Sequence, residues 1–299
     1  MSFMDDIKIS LSLAKNNMLS FLLAVFGMTI MIGIVIAIII APLIVAAFLA
    51  NPDPTAFGIA ISQFFSGFSG IISGDPITGL FAGGAIGLLF LNPFAAVGAW
   101  FFGALYGMSN EIILSGGTQA ESAFGYLRKN MKAYFGAGVI LALVMFVPMW
   151  LIGLVTTALT GFTSVPVGWE IPIGIITFAY FYIMGGFVML LLPAATDGVG
   201  MVESLKTSFR LTKANIVRVF GAWTIFVIIL GLIVGPIAAY AIATGTPGTL
   251  DPVMMVLIAW TAIGAIIFVL FILPAVFLTF TRIYLSLTGK LDQPAAEIQ

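Results

Sequence analysis

The chain has 299 residues, 61% of them hydrophobic and only 8% charged, with no cysteine, no histidine and a net charge of −1. A soluble globular domain carries about 25% charged residues, so this composition excludes one. The missing Cys and His remove disulfides, thiol nucleophiles, the usual zinc, copper and haem ligands and the commonest general base, so no metal, cofactor or catalytic residue is expected, and 11 basic against 12 acidic residues leave no charge for a nucleic-acid partner.

Six apolar runs, each longer than the roughly 20 residues needed to cross a bilayer, are predicted at 18–49, 77–108, 134–161, 171–195, 216–243 and 252–285. The first is too long for the core of a signal peptide and reads as an uncleaved span. All 11 basic residues then fall on one side: Lys8 and Lys15 before the first span, Arg128, Lys129 and Lys132 before the third, Lys206, Arg210, Lys213 and Arg218 around the start of the fifth, Arg282 and Lys290 at the end of the sixth. The other side carries only Asp53, Asp75, Glu170 and Asp251. The excess of Lys and Arg on cytoplasmic loops predicts a multi-pass protein of a cell membrane with both termini in the cytoplasm.

Taken in chain order, the first segment before Asn17 reads as an amphipathic helix, with Ile7, Leu11, Ala14 and Met18 along one side and Lys8, Ser12 and Lys15 along the other. After the first span, Phe57, Ile61, Phe64, Phe65, Phe68 and Ile72 share a helical face, which predicts an external interfacial or re-entrant helix over 55–73. Asp75-Pro76, Glu170-Ile171-Pro172 and Asp251-Pro252 open the three inward-running spans. An acid there accepts from orphan N–H groups and a first-turn Pro has none to waste, so these are predicted helix caps, not ligand sites. The second span carries Gly79, Gly83 and Gly87, then Gly103 and Gly107, at the spacing that lets helix backbones approach, within the bundle or between copies. Asn92-Pro93 near its centre reads as a kink, or as a helix break lining a pore that resembles, over two residues, the half-helix starts of aquaporins.

Every span contains a proline, at Pro42, Pro93, Pro148, Pro193, Pro236 and Pro274. Kinked helices can enclose a cavity, and Thr156, Thr157, Tyr180, Tyr182, Thr224 and Tyr240 are the hydroxyls that would line it. No charged residue lies near the middle of a span, which argues against a carboxylate-based pump. Arg282 reads as snorkelling toward the cytoplasm, and Asp197 as the N-cap of the amphipathic helix that ends at Lys213.

An internal repeat organises the chain. Ser10 to Asn17 followed by Phe21 matches Ser208 to Asn215 followed by Phe220, and Glu121 to Asn130 followed by Tyr134 is a looser copy. The predicted fold is therefore all-α: one membrane domain of three parallel repeats, about 1–110, 111–196 and 197–299, each an interfacial helix plus two spans. In such helices Lys15, Arg128, Lys129, Lys132, Lys206, Arg210, Lys213 and Arg218 are the candidate contacts to lipid head groups.

The stretch Pro193-Ala194-Ala195-Thr196-Asp197-Gly198, with Glu203 to Phe209 and Lys213-Ala214-Asn215, resembles the membrane domain attached to some glycerophosphodiester phosphodiesterases and related stand-alone six-span proteins of prokaryotes, archaea especially. The resemblance is strongest over 190–234. It implies a six-span bundle with cytoplasmic helices at the repeat starts. In those enzymes the chemistry belongs to a soluble barrel with metal-binding acids, and the activity does not carry over.

The resulting expectation is a non-catalytic plasma-membrane protein with a structural, lipid-organising or auxiliary role, whose partners are membrane lipids and other membrane subunits or copies of itself. A channel or carrier for an uncharged or lipid-like solute is the alternative, and an intramembrane enzyme built on cytoplasmic-face acids (Glu111, Glu121, Asp197, Glu203) comes third.

Overall fold

A computed structural model describes residues 2–50, 76–159, 170–244 and 251–291. The predicted external helix over 55–73, with Asp53 and Asp75, lies outside the described residues, as do the side chains of Pro42, Gly79, Gly83, Gly87, Pro93, Thr157 and Glu170.

The described chain is helical throughout: α1 (Phe3–Asn16), α2 (Met18–Ala50), α3 (Pro76–Ser115), α4 (Ala120–Leu159), α5 (Glu170–Val188), α6 (Leu191–Thr196), α7 (Met201–Ala214), α8 (Ile216–Thr244), α9 (Pro252–Ile267), a π-helical turn (Phe268–Ile272) and α10 (Leu273–Leu287). Four helical stretches among the described residues are long and apolar enough to cross a membrane, and α1 with the start of α2 makes a fifth if that pair, bent by 76°, is one span.

Three bends share one residue type. Asn17 (φ −111°, ψ 16°), Asn130 (φ −111°, ψ 18°) and Asn215 (φ −133°, ψ 43°) each leave helical geometry where an amphipathic segment meets an apolar one. Asn tolerates this region of backbone space and can replace a lost amide donor with its own. The Asn17 Nδ2 donates to the Leu13 carbonyl at 3.0 Å and the Asn215 Nδ2 to that of Leu211 at 3.2 Å. The Asn130 Nδ2 instead reaches across to the carbonyl of Thr196 at 2.9 Å.

Prolines act in different ways. Pro148 and Pro236 sit inside continuous helices. Pro193 follows a turn at 189–190, where the Phe187 carbonyl accepts from Ser208 Oγ at 2.6 Å. Before Pro274 the ladder widens to a π turn, and the Leu273 N–H bonds to the Phe268 carbonyl. Asn92-Pro93, read as a kink or a break, lies within the single helix α3 from Pro76 to Ser115.

Two compact units form. The first holds Met1–Val25, Trp100–Ala137 and Gly185–Gln299; the second holds Phe26–Ala99 and Gly138–Met184. In the first, the core packs Phe21, Met108, Ile112, Tyr134, Leu190, Val219, Leu278 and Phe280, all buried. Its α3–α4 contact is set by glycine: the Tyr134 ring occupies the space a Cβ at Gly103 would need, and Tyr126 does the same over Gly107. The Gly103 and Gly107 spacing therefore serves packing within the chain. In the second unit, Gly138 lies against the backbone of Ala95 and Ala96, and Tyr180 donates to the Val144 carbonyl.

The cap of α9 is as predicted. Asp251 accepts from the Met254 N–H at 2.7 Å, with Pro252 at the first helical position. The Tyr240 hydroxyl also donates to Asp251, and these bonds hold its carboxyl below its ordinary pKa of 3.8. A depressed folded pKa means the contribution is complete above the unfolded value and lost as pH falls through the lower folded one. The Asp251 cap of α9 is expected to hold at pH 5 and loosen only in strong acid, below the ordinary carboxyl value of 3.8, seen as faster amide exchange at Met254. Loosening already between about pH 6 and 5 would mean another group controls the junction.

Candidate functional site

The polar groups of the first unit gather into one buried and one half-buried cluster that tie helices distant in sequence. Asp6, fully buried on α1, accepts from Arg218 of α8 through both carboxylate oxygens, at 2.7 Å from Nε and 3.0 Å from Nη2. Arg282 of α10 stands 3.3 Å from the same carboxylate, and Arg218 Nη1 donates to Ser286 Oγ at 3.1 Å. A planar guanidinium matches a carboxylate in this two-bond fork. Two arginines on one buried acid hold α1, α8 and α10 together.

The second cluster centres on Asp197. Two glycines in left-handed backbone build it. Gly198 (φ +75°) turns the chain directly after Asp197, and Gly289 (φ +72°) ends α10. At Gly289 the Lys290 N–H returns to the Leu285 carbonyl at 2.9 Å and the Gly289 N–H to that of Ser286 at 3.4 Å, the double bond of a Schellman turn. This delivers Lys290 Nζ to Asp197 at 2.8 Å, while the Tyr284 hydroxyl donates to the same carboxylate at 2.5 Å. Asp197 closes α6, and the residue capping α7 is Gly200, with no side-chain bond. The N-cap role expected for Asp197 is thus replaced by an ion pair.

Next to this pair, Asn130 Nδ2 and the Tyr134 hydroxyl (3.3 Å to Thr196 Oγ1) fasten α4 to the end of α6. Tyr106, Asn110, Thr196, Asp197, Thr281 and Tyr284 line a recess too tight to seat a water. Asn110 Oδ1 and Thr281 Oγ1 there have no hydrogen-bond partner among the described residues. A separate open cleft of about 250 Å³ is lined by Glu111, Ser122, Gly125, Tyr126 and Lys129. Glu111 and Asp197 both lie within electrostatic reach of the Tyr126 phenol, but no group of three potential metal ligands exists among the described residues.

Several of the predicted cavity hydroxyls are hydrogen-bonded locally. Thr156 donates to its own helix at Ile152 (2.8 Å) and Thr224 to Phe220 (2.6 Å); Tyr180 is bound to Val144 and Tyr240 to Asp251. Tyr182 stacks on Phe178, with ring centroids 6.2 Å apart. Asn92 Oδ1 is buried without a partner among the described residues. Thr156, Tyr180, Tyr182 and Asn92 belong to the second unit, Thr224 and Tyr240 to the first.

The predicted head-group cations divide. Lys15, Arg128, Lys129, Lys132, Lys206, Arg210 and Lys213 are exposed. Arg218 is not: its side chain is 15% exposed and spent on Asp6. Arg282, at 12%, likewise faces the Asp6 carboxylate and does not snorkel. Each guanidinium meets a buried carboxylate inside the bundle, which removes its need for head groups.

The amphipathic helices meet the bundle mainly through small, hydroxyl and acidic residues. α1 buries Asp6, Ile7, Ser10 and Ala14 and exposes Met4, Ile9 and Leu11; α7 buries Ser204, Thr207, Ser208 and Thr212 and exposes Met201 and Val202. At the start of α4, Ala123 and Asn130 are buried while Phe124 and Met131 are exposed. Small and hydroxyl side chains allow close packing against the bundle, and most of the large apolar ones, Ile7 apart, are not buried there. Sequence reasoning missed Asp6, whose only signal was its spacing of four from Ser10 on the buried face.

Comparison with protein-family profiles, with curated proteins and with solved structures finds no match.

Proposed function

We propose that the chain is a six-span protein of a prokaryotic plasma membrane, with cytoplasmic termini, whose role is to organise lipid or support partner subunits rather than to carry a solute. The observation behind this reading is the outward pairing of exposed apolar and exposed basic residues on all three amphipathic segments: Met4 and Leu11 with Lys15, Phe124 and Met131 with Arg128, Lys129 and Lys132, Met201 and Val202 with Lys206, Arg210 and Lys213. A helix with both faces outside the bundle suits the membrane interface, its apolar side at the acyl boundary and its cations at the phosphates.

The three-repeat reading gains support from one shared register. Asn17, Phe21 and Ala24 match Asn130, Tyr134 and Ala137, and again Asn215, Val219 and Ala222. Every large residue and alanine of this series is buried. The resemblance to phosphodiesterase-attached membrane domains suits the same architecture. The carrier reading is weaker, since most of its hydroxyls are already hydrogen-bonded within the protein.

Orientation has a direct test, because the chain has no cysteine. In cells, a membrane-impermeant maleimide is expected to spare Lys15→Cys until lysis and to label Thr249→Cys without it. The reverse pattern would overturn the topology. For the role, Lys206→Gln, Arg210→Gln and Lys213→Gln together are expected to lower enrichment of anionic lipid around the protein in nanodiscs, at about 1 kcal/mol per lost charge. Uptake of an uncharged solute into proteoliposomes well above empty vesicles would favour the carrier instead.

A further inference from the structure

The cleft between the end of α3 and the start of α4 plays no part in the ion-pair clusters. Its lining is unusual for this chain: an acid, a base, two hydroxyls and an open floor within one space of about 250 Å³. Glu111 is half-buried and Lys129 exposed, yet among the described residues neither makes an ion pair or side-chain hydrogen bond. Opposite charges that line one cleft without meeting leave room for a group carrying both signs. Tyr126 is held in place because its Cβ and Cγ fill the space over Gly107. Above Gly125, which lines the cleft, nothing lies within 4 Å of where a side chain would begin.

We infer that this cleft binds the head group of an amine-bearing phospholipid, of the phosphoethanolamine type. The Glu111 carboxylate would accept from the primary ammonium, and Lys129 with the Ser122 and Tyr126 hydroxyls would hold the phosphate. The volume falls below the roughly 300 Å³ at which drug-sized pockets begin, which suits one small polar group. A phosphatidylcholine offers no N–H to Glu111, and a phosphatidylglycerol offers it no cation.

The inference rests on the lipid-organising reading and narrows it to one lipid class. Its test is native mass spectrometry of the full chain in mild detergent, titrated with dioleoyl phosphatidylethanolamine, phosphatidylglycerol and phosphatidylcholine. One phosphatidylethanolamine is expected to be retained in preference to the other two. Glu111→Gln and Lys129→Gln should each weaken it about tenfold, the worth of one charge-assisted bond. Gly125→Leu, whose Cβ has no neighbour within 4 Å, adds bulk to the lining and should abolish it, and Glu121→Gln, exposed on α4 outside that lining, should not. Equal retention of ethanolamine and glycerol lipids, or retention that survives Gly125→Leu, overturns this inference and leaves the lipid-organising reading standing. Retention of none of the three lipids overturns both. Displacement of the lipid by an equal concentration of free phosphoethanolamine overturns the lipid source in favour of a soluble ligand.

Discussion

Asp6→Asn is expected to lower the melting temperature by roughly 10 °C, because it takes the buried anion away from two largely enclosed guanidinium groups. Breaking a buried ion pair by removing one partner costs about 3–5 kcal/mol, far above the worth of an exposed pair. Asp6 is wholly buried, and Arg218 and Arg282 are 15% and 12% exposed, so solvent screens this cluster little. The exposed Glu203–Lys206 pair, 3.9 Å apart, is the contrast, and Glu203→Gln is expected to shift the melting temperature by less than about 2 °C. Replacing Asp6, Arg218 and Arg282 together by Leu or Met should recover most of the loss, since apolar residues of like volume often replace a buried ion cluster at little cost. Thermal unfolding in detergent, followed by circular dichroism, checks all three. An Asp6→Asn protein as stable as the parent would show that the arginines find water or lipid instead.

Gly138→Ala is expected to be the most damaging of the conservative glycine substitutions. A Cβ there would stand 2.5 Å from the Ala95 carbonyl oxygen and 2.6 Å from the Ala96 Cα. Both belong to the backbone of α3, which cannot swing aside as a side-chain end can. Forcing the helices apart costs about 1–3 kcal/mol and opens gaps beside Ala96 and Ala99. Gly98→Ala, on α3 with nothing within 4 Å of the new carbon, is the control. It should be neutral or stabilise by about 0.5–1 kcal/mol through reduced chain entropy. Comparing the two melting curves separates close packing from glycine's helix penalty; equal curves would mean α3 and α4 are not in contact at Gly138.

What the sequence determined by itself was the class of structure. Apolar runs of this length point to helices, because a helix is the structure in which a single membrane segment satisfies its own peptide groups. Asn17, Asn130 and Asn215 were legible as the ends of three amphipathic segments, while the departure of their backbone from helical geometry came from the structure. The Asp251-Pro252 cap is local chemistry within four residues and was readable for that reason.

Tertiary structure alone decided the rest. Asp6 and Arg218 are 212 positions apart, and no spacing rule links them. A flanking Asp, a deep Arg282 and a loop Asp197 each had an ordinary local explanation, as solvated charge, snorkelling or cap. Which explanation holds depends on what another helix brings opposite, and Lys290 and Tyr284 converge on Asp197 only because Gly198 and Gly289 turn the chain there. The outward face of the amphipathic helices had the same character. Periodicity shows that a helix has two faces, but which one meets the bundle is fixed by close packing, and there small hydroxyl residues at Ser10, Ser204 and Ser208 fit where Leu11 and Met201 do not.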